Sequence, residues 1–179
     1  ENAQSYGGAF FFNNYSTFTM EGGTFENNTS RYRGGAVYMG TGCTTMIAGG
    51  TFRNNNAGNW GSALYMNGNL NISDVLAEKN AGSTAIVNEN GSITVSGGTY
   101  RENTTAVGLN WGSITITGGT FTENSGTAVS SHSATITVSG GEIYNNTGSG
   151  VGCSYGTVNI QEGANIRDNA GWGVSNSYE

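Results

Sequence analysis

The chain predicts an all-β protein, a single-stranded parallel β-helix of about seven to eight coils with three strands per coil. Three observations predict it. The first is a repeat in which an aromatic or aliphatic residue is followed three positions later by asparagine: Phe25/Asn28, Phe52/Asn55, Ala77/Asn80, Tyr100/Asn103, Phe121/Asn124, Ile143/Asn146 and Ile166/Asn169. Successive repeats are 27, 25, 23, 21, 22 and 23 residues apart, the length of one solenoid turn. The second is apolar–polar alternation in short segments between these pairs. The third is composition, with 31 Gly and no Pro.

Each repeat holds three extended segments. The first alternates, as in Phe18-Thr19-Met20, Leu70-Asn71-Ile72, Ile93-Thr94-Val95, Ile114-Thr115-Ile116, Ile136-Thr137-Val138 and Val158-Asn159-Ile160. Period-two patterning with β-branched residues describes a strand with one buried face. The second is Gly-Gly-Thr-Phe or its Tyr variant, at Gly22–Phe25, Gly49–Phe52, Gly97–Tyr100 and Gly118–Phe121. The third is Gly-Gly-Ala-aliphatic and variants, at Gly34–Val37, Gly61–Leu64, Ser83–Ile86, Thr104–Val107 and Gly126–Val129. Glycine permits tight corners. The lack of Pro fits strands whose N–H groups all pair with neighbouring coils. Parallel crossovers favour a right-handed sense. Three inward columns follow: Ile93/Ile114/Ile136/Val158; Val37/Leu64/Ile86/Val107/Val129/Val151/Val174; and Phe25/Phe52/Tyr100/Phe121/Ile143/Ile166.

The asparagines have a mechanical role in this arrangement. An inward Asn at a bend satisfies backbone groups that water cannot reach, and each such group left unpaired costs ~1–3 kcal/mol. A leucine-rich repeat also uses a recurring Asn, but only four leucines are present. Repeat lengths vary too much for a hexapeptide β-helix. Asp74 and Asp168, the only aspartates, are too few for a calcium-binding repeat.

Residues 1–179 read as one domain, expected to be a segment of a longer surface protein. The net charge is −6 and the basic residues are scattered, which argues against nucleic acid as a partner. No apolar run reaches the ~18 residues that span a bilayer, so direct membrane insertion is not expected. Cys43 and Cys153 lie about five coils apart, roughly 24 Å at ordinary strand spacing, so two free thiols are expected.

The Gly-Gly-Ala-aliphatic motif at Gly34-Gly35-Ala36-Val37, with Gly7-Gly8-Ala9-Phe10 close to it, occurs beside Phe-x-x-Asn. The latter appears as Phe25-Glu26-Asn27-Asn28, Phe52-Arg53-Asn54-Asn55 and Phe121-Thr122-Glu123-Asn124. This pairing resembles the repeats of chlamydial polymorphic outer membrane proteins and related bacterial adhesins. The resemblance covers nearly the whole chain but concerns structural repeats. It implies a pectin-lyase-like β-helix in a secreted, surface-displayed protein that binds host or neighbouring cells. The chain departs from that family in its few cysteines and in having no membrane β-barrel.

Chemistry-bearing residues are sparse. His132, the only histidine, lies in Ser130–Ser133, which reads as an exposed corner; no orienting group or oxyanion site can be placed beside it. Glu102 and Glu123 share a column in adjacent coils, with backbones ~4.8 Å apart. That is near the carboxylate separation of retaining glycosidases, although two solvated glutamates also explain it. Glu26, Arg53, Glu78 and Arg101 alternate in sign down another column, expected to form exposed pairs of low energy. No cofactor or metal ligand set emerges.

Two faces could bind. Phe11, Tyr38 and Tyr65 should point outward and stack, while the equivalent later positions are Val87, Gly108, Ser130, Gly152 and Ser175. Aromatic ladders suit sugar faces and protein partners; packing beneath a loop is the alternative. Ser92/Thr94/Ser96, Ser113/Thr115/Thr117 and Thr135/Thr137/Ser139 should form a flat hydroxyl grid like that of ice-binding solenoids, although Thr is common on pleated surfaces in any case. The expected function is therefore non-catalytic adhesion to a host or bacterial surface glycan or protein. A polysaccharide-binding or polysaccharide-active enzyme fragment and an ice-binding solenoid are the alternatives.

Overall fold

The computed structural model describes residues 6–177; the polar run Glu1–Ser5 and the last two residues, Tyr178 and Glu179, lie outside the described residues. The chain winds as a parallel β-solenoid of about seven turns, and its strands form sheets of ten, seven and two members. No helix among the described residues is long and apolar enough to cross a membrane.

In the middle of the solenoid two of the three segments of each repeat are joined. There the third segment of one repeat runs without a break into the first segment of the next. The long strands Val37–Ile47, Leu64–Ile72, Thr84–Val95, Thr105–Ile116 and Val129–Val138 result. They separate only near the ends, as Phe10–Phe12 with Thr17–Met20 and as Val151–Ser154 with Thr157–Ile160. A column of small residues lets the long strands bend. Cys43, Gly68, Gly91, Gly112 and Ala134 are in register. Gly112 has φ 123°, and a Cβ there would collide with the Gly91 carbonyl oxygen of the preceding coil. The glycines are thus required by close backbone approach as well as by conformation.

The short strands Thr24–Glu26, Thr51–Arg53, Leu76–Glu78, Thr99–Arg101, Thr120–Thr122, Glu142–Tyr144 and Asn165–Arg167 stack as the seven-stranded sheet. Their central residues are in register from Phe25 through Phe52, Ala77, Tyr100, Phe121 and Ile143 to Ile166. Tyr100 and Phe121 stack with ring centroids 4.5 Å apart. The column from Val37 to Val174 is also in the expected register. Burial is complete in the middle coils and falls off at the ends, where Phe25 and Val158 are half-buried and Val174 is exposed.

The column containing Leu70, Ile93 and Ile114 begins with Phe18 and Thr45. Thr45 is fully buried, and its hydroxyl has no hydrogen-bond partner among the described residues. Cys43 and Cys153 are both buried free thiols.

Each ladder asparagine follows a residue in the left-handed region: Asn27, Asn54, Lys79, Glu102, Glu123, Asn145 and Asp168, with φ between 52° and 59°. Asn and Asp enter this region most readily. The corner turns each following Asn inward, where its amide can hydrogen-bond along the axis. Asn55 Nδ2 donates to Asn80 Oδ1 at 3.0 Å and to the Phe25 carbonyl at 2.9 Å, and the same pattern continues to Asn169.

The alternating charge column is real but not wholly exposed. Glu78 is 4% exposed and lies between two guanidinium groups, with Arg53 Nε at 2.5 Å and Arg101 Nη2 at 2.6 Å. Burial makes this more than the surface pairing expected from sequence, because the carboxylate relies on both arginines in place of water.

Candidate functional site

Phe11, Tyr38 and Tyr65 are in register on adjacent coils. Phe11 and Tyr38 stack at 5.1 Å with their planes 3° apart, and Tyr38 and Tyr65 stack at 5.2 Å with planes 10° apart. Their environments differ. Phe11 is 52% exposed, Tyr38 is half-buried and Tyr65 is only 2% exposed. The expectation that all three face solvent therefore fails at Tyr65.

A second column, not anticipated from the sequence, explains why. Tyr6, Arg33 and Trp60 are joined by parallel bridges. Each directly precedes a glycine with positive φ: Gly7 at 63°, Gly34 at 66° and Gly61 at 68°. At Gly34 a Cβ would strike the Val37 carbonyl, so only glycine allows this tight return. The return brings the residue before the glycine alongside the aromatic of the next coil. Tyr6 approaches Tyr38 with centroids 4.9 Å apart. The Arg33 guanidinium lies 4.7 Å from the Tyr65 ring and 4.8 Å from the Trp60 ring. The recurring order of aromatic or Arg, Gly, small residue, Ala, apolar residue, aromatic was the available signal.

The Tyr65 hydroxyl accepts from Arg33 Nη1 at 2.6 Å and donates to Glu89 Oε2 at 3.1 Å. Burial, reinforced by the Glu89 charge, pushes the phenol well above its ordinary range. Tyr65 therefore remains a neutral hydrogen-bonding element that stacks on Tyr38 from the next coil. Burial also raises Tyr38, against the opposing effect of Arg33. The exposed part of the site is Phe11, Tyr38, Tyr6 and the adjoining Tyr32, with the Arg31 guanidinium 5.5 Å from the Tyr32 ring.

Glu102 and Glu123 occupy successive corners, since Arg101 and Thr122 before them are paired. Both are exposed and both have left-handed backbones, with φ 54° and 56°. Lys79 Nζ lies 3.7 Å from Glu102 Oε2, which gives that carboxylate a counterion on the preceding coil. Among the described residues, no group of three or more His, Cys, Asp or Glu side chains is placed to hold a metal ion.

His132 lies within the strand Val129–Val138, not at a corner, and meets Tyr155 edge-on at 5.3 Å. The hydroxyl face extends further than expected. One column reads Thr17, Thr44, Asn69, Ser92, Ser113, Thr135 and Thr157 in register. The next reads Thr19, Met46, Asn71, Thr94, Thr115, Thr137 and Asn159, so Met46 interrupts it. Ser96, Thr117 and Ser139 turn their hydroxyls back onto the carbonyls of Ile72, Val95 and Ile116.

No family model, curated protein or solved structure matched the chain in comparisons with known proteins. The likeness to the chlamydial repeats therefore rests on the repeat residues themselves.

Proposed function

We propose that this chain is a non-catalytic display segment of a secreted or bacterial-surface protein, binding a surface glycan or protein through the aromatic face of its first coils. The observation that supports this is the coplanar stack of Phe11 on Tyr38, flanked by Tyr6. The stack ends on Tyr65, which lies against Tyr38 on the next coil and is itself held by hydrogen bonds to Arg33 and Glu89. Rigid, amphipathic rings held by a scaffold lose little entropy on binding, and large exposed apolar patches often mark interaction sites. A solenoid also presents successive contacts at ~4.8 Å spacing, so weak contacts reinforce one another.

The test is binding to a glycan array and to bacterial and host cells. Phe11→Ala and Tyr38→Ala together should lower binding at least ~10-fold, as expected for aromatic anchors, while Thr115→Ala on the hydroxyl face leaves it unchanged. Wild-type binding by the folded double variant rejects this face.

The polysaccharide-enzyme reading has less support, since Glu102 is matched with Lys79 and both glutamates stand exposed on corners. Turnover of an acidic glycan that disappears in Glu102→Gln and Glu123→Gln would replace the display reading. Ice binding also has less support, because one column of hydroxyls is turned to the backbone and Met46 interrupts another. Thermal hysteresis would favour it.

A further inference from the structure

The outward column that begins with aromatic rings changes abruptly in size. Tyr65 is followed in register by Val87, Gly108 and Ser130. With no side chain at Gly108, the face sinks into a groove of about 220 Å³. Trp60 stands at one end and His132 at the other, with Val87 and Gly108 between them and Asn110 and Ser130 also lining it. Trp60 is steadied by the Arg33 guanidinium, and His132 by its edge-on contact with Tyr155.

We infer that this groove is a binding subsite for a short neutral saccharide of one or two rings. The inference deepens the display reading above and rests on it, placing a defined sugar site next to the aromatic face. Three features point to this chemistry. The groove combines an indole and a valine, which suit the C–H face of a sugar, with hydroxyl, amide and imidazole groups that suit its hydroxyls. The Asn110, Ser130 and His132 side chains make no hydrogen bond among the described residues, whereas Ser131 Oγ nearby already donates to Cys153 Sγ at 3.1 Å. Free donors and acceptors thus converge where the floor is lowest. Finally, the lining contains no carboxylate, lysine or arginine. It offers a uronate no fixed cation and an amine no anion, so a neutral ligand fits best. The volume lies below the ~300 Å³ at which drug-sized pockets begin, which limits the occupant to a short one.

Gly108 provides the most direct test. Its φ is not in the left-handed region, and an added Cβ would meet Thr84 Cγ2 at 3.0 Å and Ser130 Oγ at 3.4 Å. Gly108→Leu should therefore fill the groove with only a small adjustment of Thr84. The ¹⁵N-labelled protein is titrated with glucose, galactose, mannose, N-acetylglucosamine and cellobiose, with galacturonate as the acidic comparison. At least one neutral sugar should shift the Gly108, Asn110 and His132 amides, with Kd on the order of 1–10 mM, typical of a small ligand with few contacts. Asn110→Ala should weaken this about five-fold, the effect of losing one hydrogen bond, and folded Gly108→Leu should abolish it. Phe11→Ala with Tyr38→Ala should leave it unchanged.

The inference is overturned if none of the neutral sugars shifts these amides, if galacturonate shifts them most, or if Asn110→Ala and folded Gly108→Leu both titrate like wild type. Loss of array binding in the Phe11/Tyr38 variant without any groove titration would leave the display reading standing and reject the groove. Neutral sugar shifts at the groove with no effect of the aromatic variants on array binding would support the groove and reject the aromatic face.

Discussion

Asn124 Oδ1 accepts two hydrogen bonds from Asn103, from its backbone N–H at 3.0 Å and from its Nδ2 at 3.2 Å. The Asn124 Nδ2 in turn donates to Asn146 Oδ1 at 2.8 Å and to the Tyr100 carbonyl at 3.1 Å. Every hydrogen-bonding position of this buried amide is used. The ladder therefore links one coil to the next by the same four contacts, repeated.

Replacing Asn124 with Ala strands the Asn103 N–H and the Tyr100 carbonyl away from water. Each unpaired buried group costs ~1–3 kcal/mol, so a total of about 3–5 kcal/mol is expected. At ~2–4 °C per kcal/mol for a chain of this size, Asn124→Ala should melt about 6–20 °C below wild type in thermal denaturation followed by circular dichroism. Equal melting temperatures would make the ladder dispensable.

The Glu78 carboxyl is held below its ordinary value of 4.5, first by hydrogen bonds from Arg101 and then by those from Arg53. A lowered folded value means that the stabilisation is fully present above the unfolded pKa and is lost as pH falls through the folded one. Glu78→Gln should cost about 1–2 kcal/mol at pH 7, toward the low end for charged hydrogen bonds because both arginines are partly exposed. The stability difference between wild type and variant should shrink as pH falls below about 4.5. Urea titrations at pH 7, 4 and 3 measure it. A difference that does not change with pH would mean the carboxylate charge contributes nothing.

Thr45 places an unpartnered hydroxyl in a column otherwise lined by Phe18, Leu70 and Ile93. Valine has nearly the same shape without the polar group. Thr45→Val should therefore stabilise the chain by about 1 kcal/mol, the modest gain expected when an unsatisfied buried hydroxyl is removed. Denaturant unfolding checks this, and a lower midpoint would show that the hydroxyl is satisfied in solution.

Much of the fold was legible in the sequence because a solenoid aligns each repeat with the next. Once Phe52 and Tyr100 are known to be equivalent, so are the residues before and after them, and the columns follow. The inward columns, the asparagine ladder, the stacking of Phe11, Tyr38 and Tyr65 and the free thiols could all be read in this way. The positions that deviated did so for particular physical reasons. The segments around Gly91 and Gly112 merge into long strands because a small residue lets the backbone bend while these two strands stay in register. Glu78, placed by sequence in an exposed column, is buried because long arginine side chains close over it from both neighbouring coils.

The sequence alone thus determined which residues share a column and which way most of them face, since both depend only on strand alternation and repeat length. Tertiary structure decided which outward residues remain accessible. That depends on neighbouring columns: the left-handed glycines at Gly34 and Gly61 position Arg33 and Trp60 so that the Arg33 guanidinium lies against both Trp60 and Tyr65, while Gly108 leaves its surroundings open. Accessibility arises between columns, through side-chain reach and corner geometry, and no repeat read singly contains it.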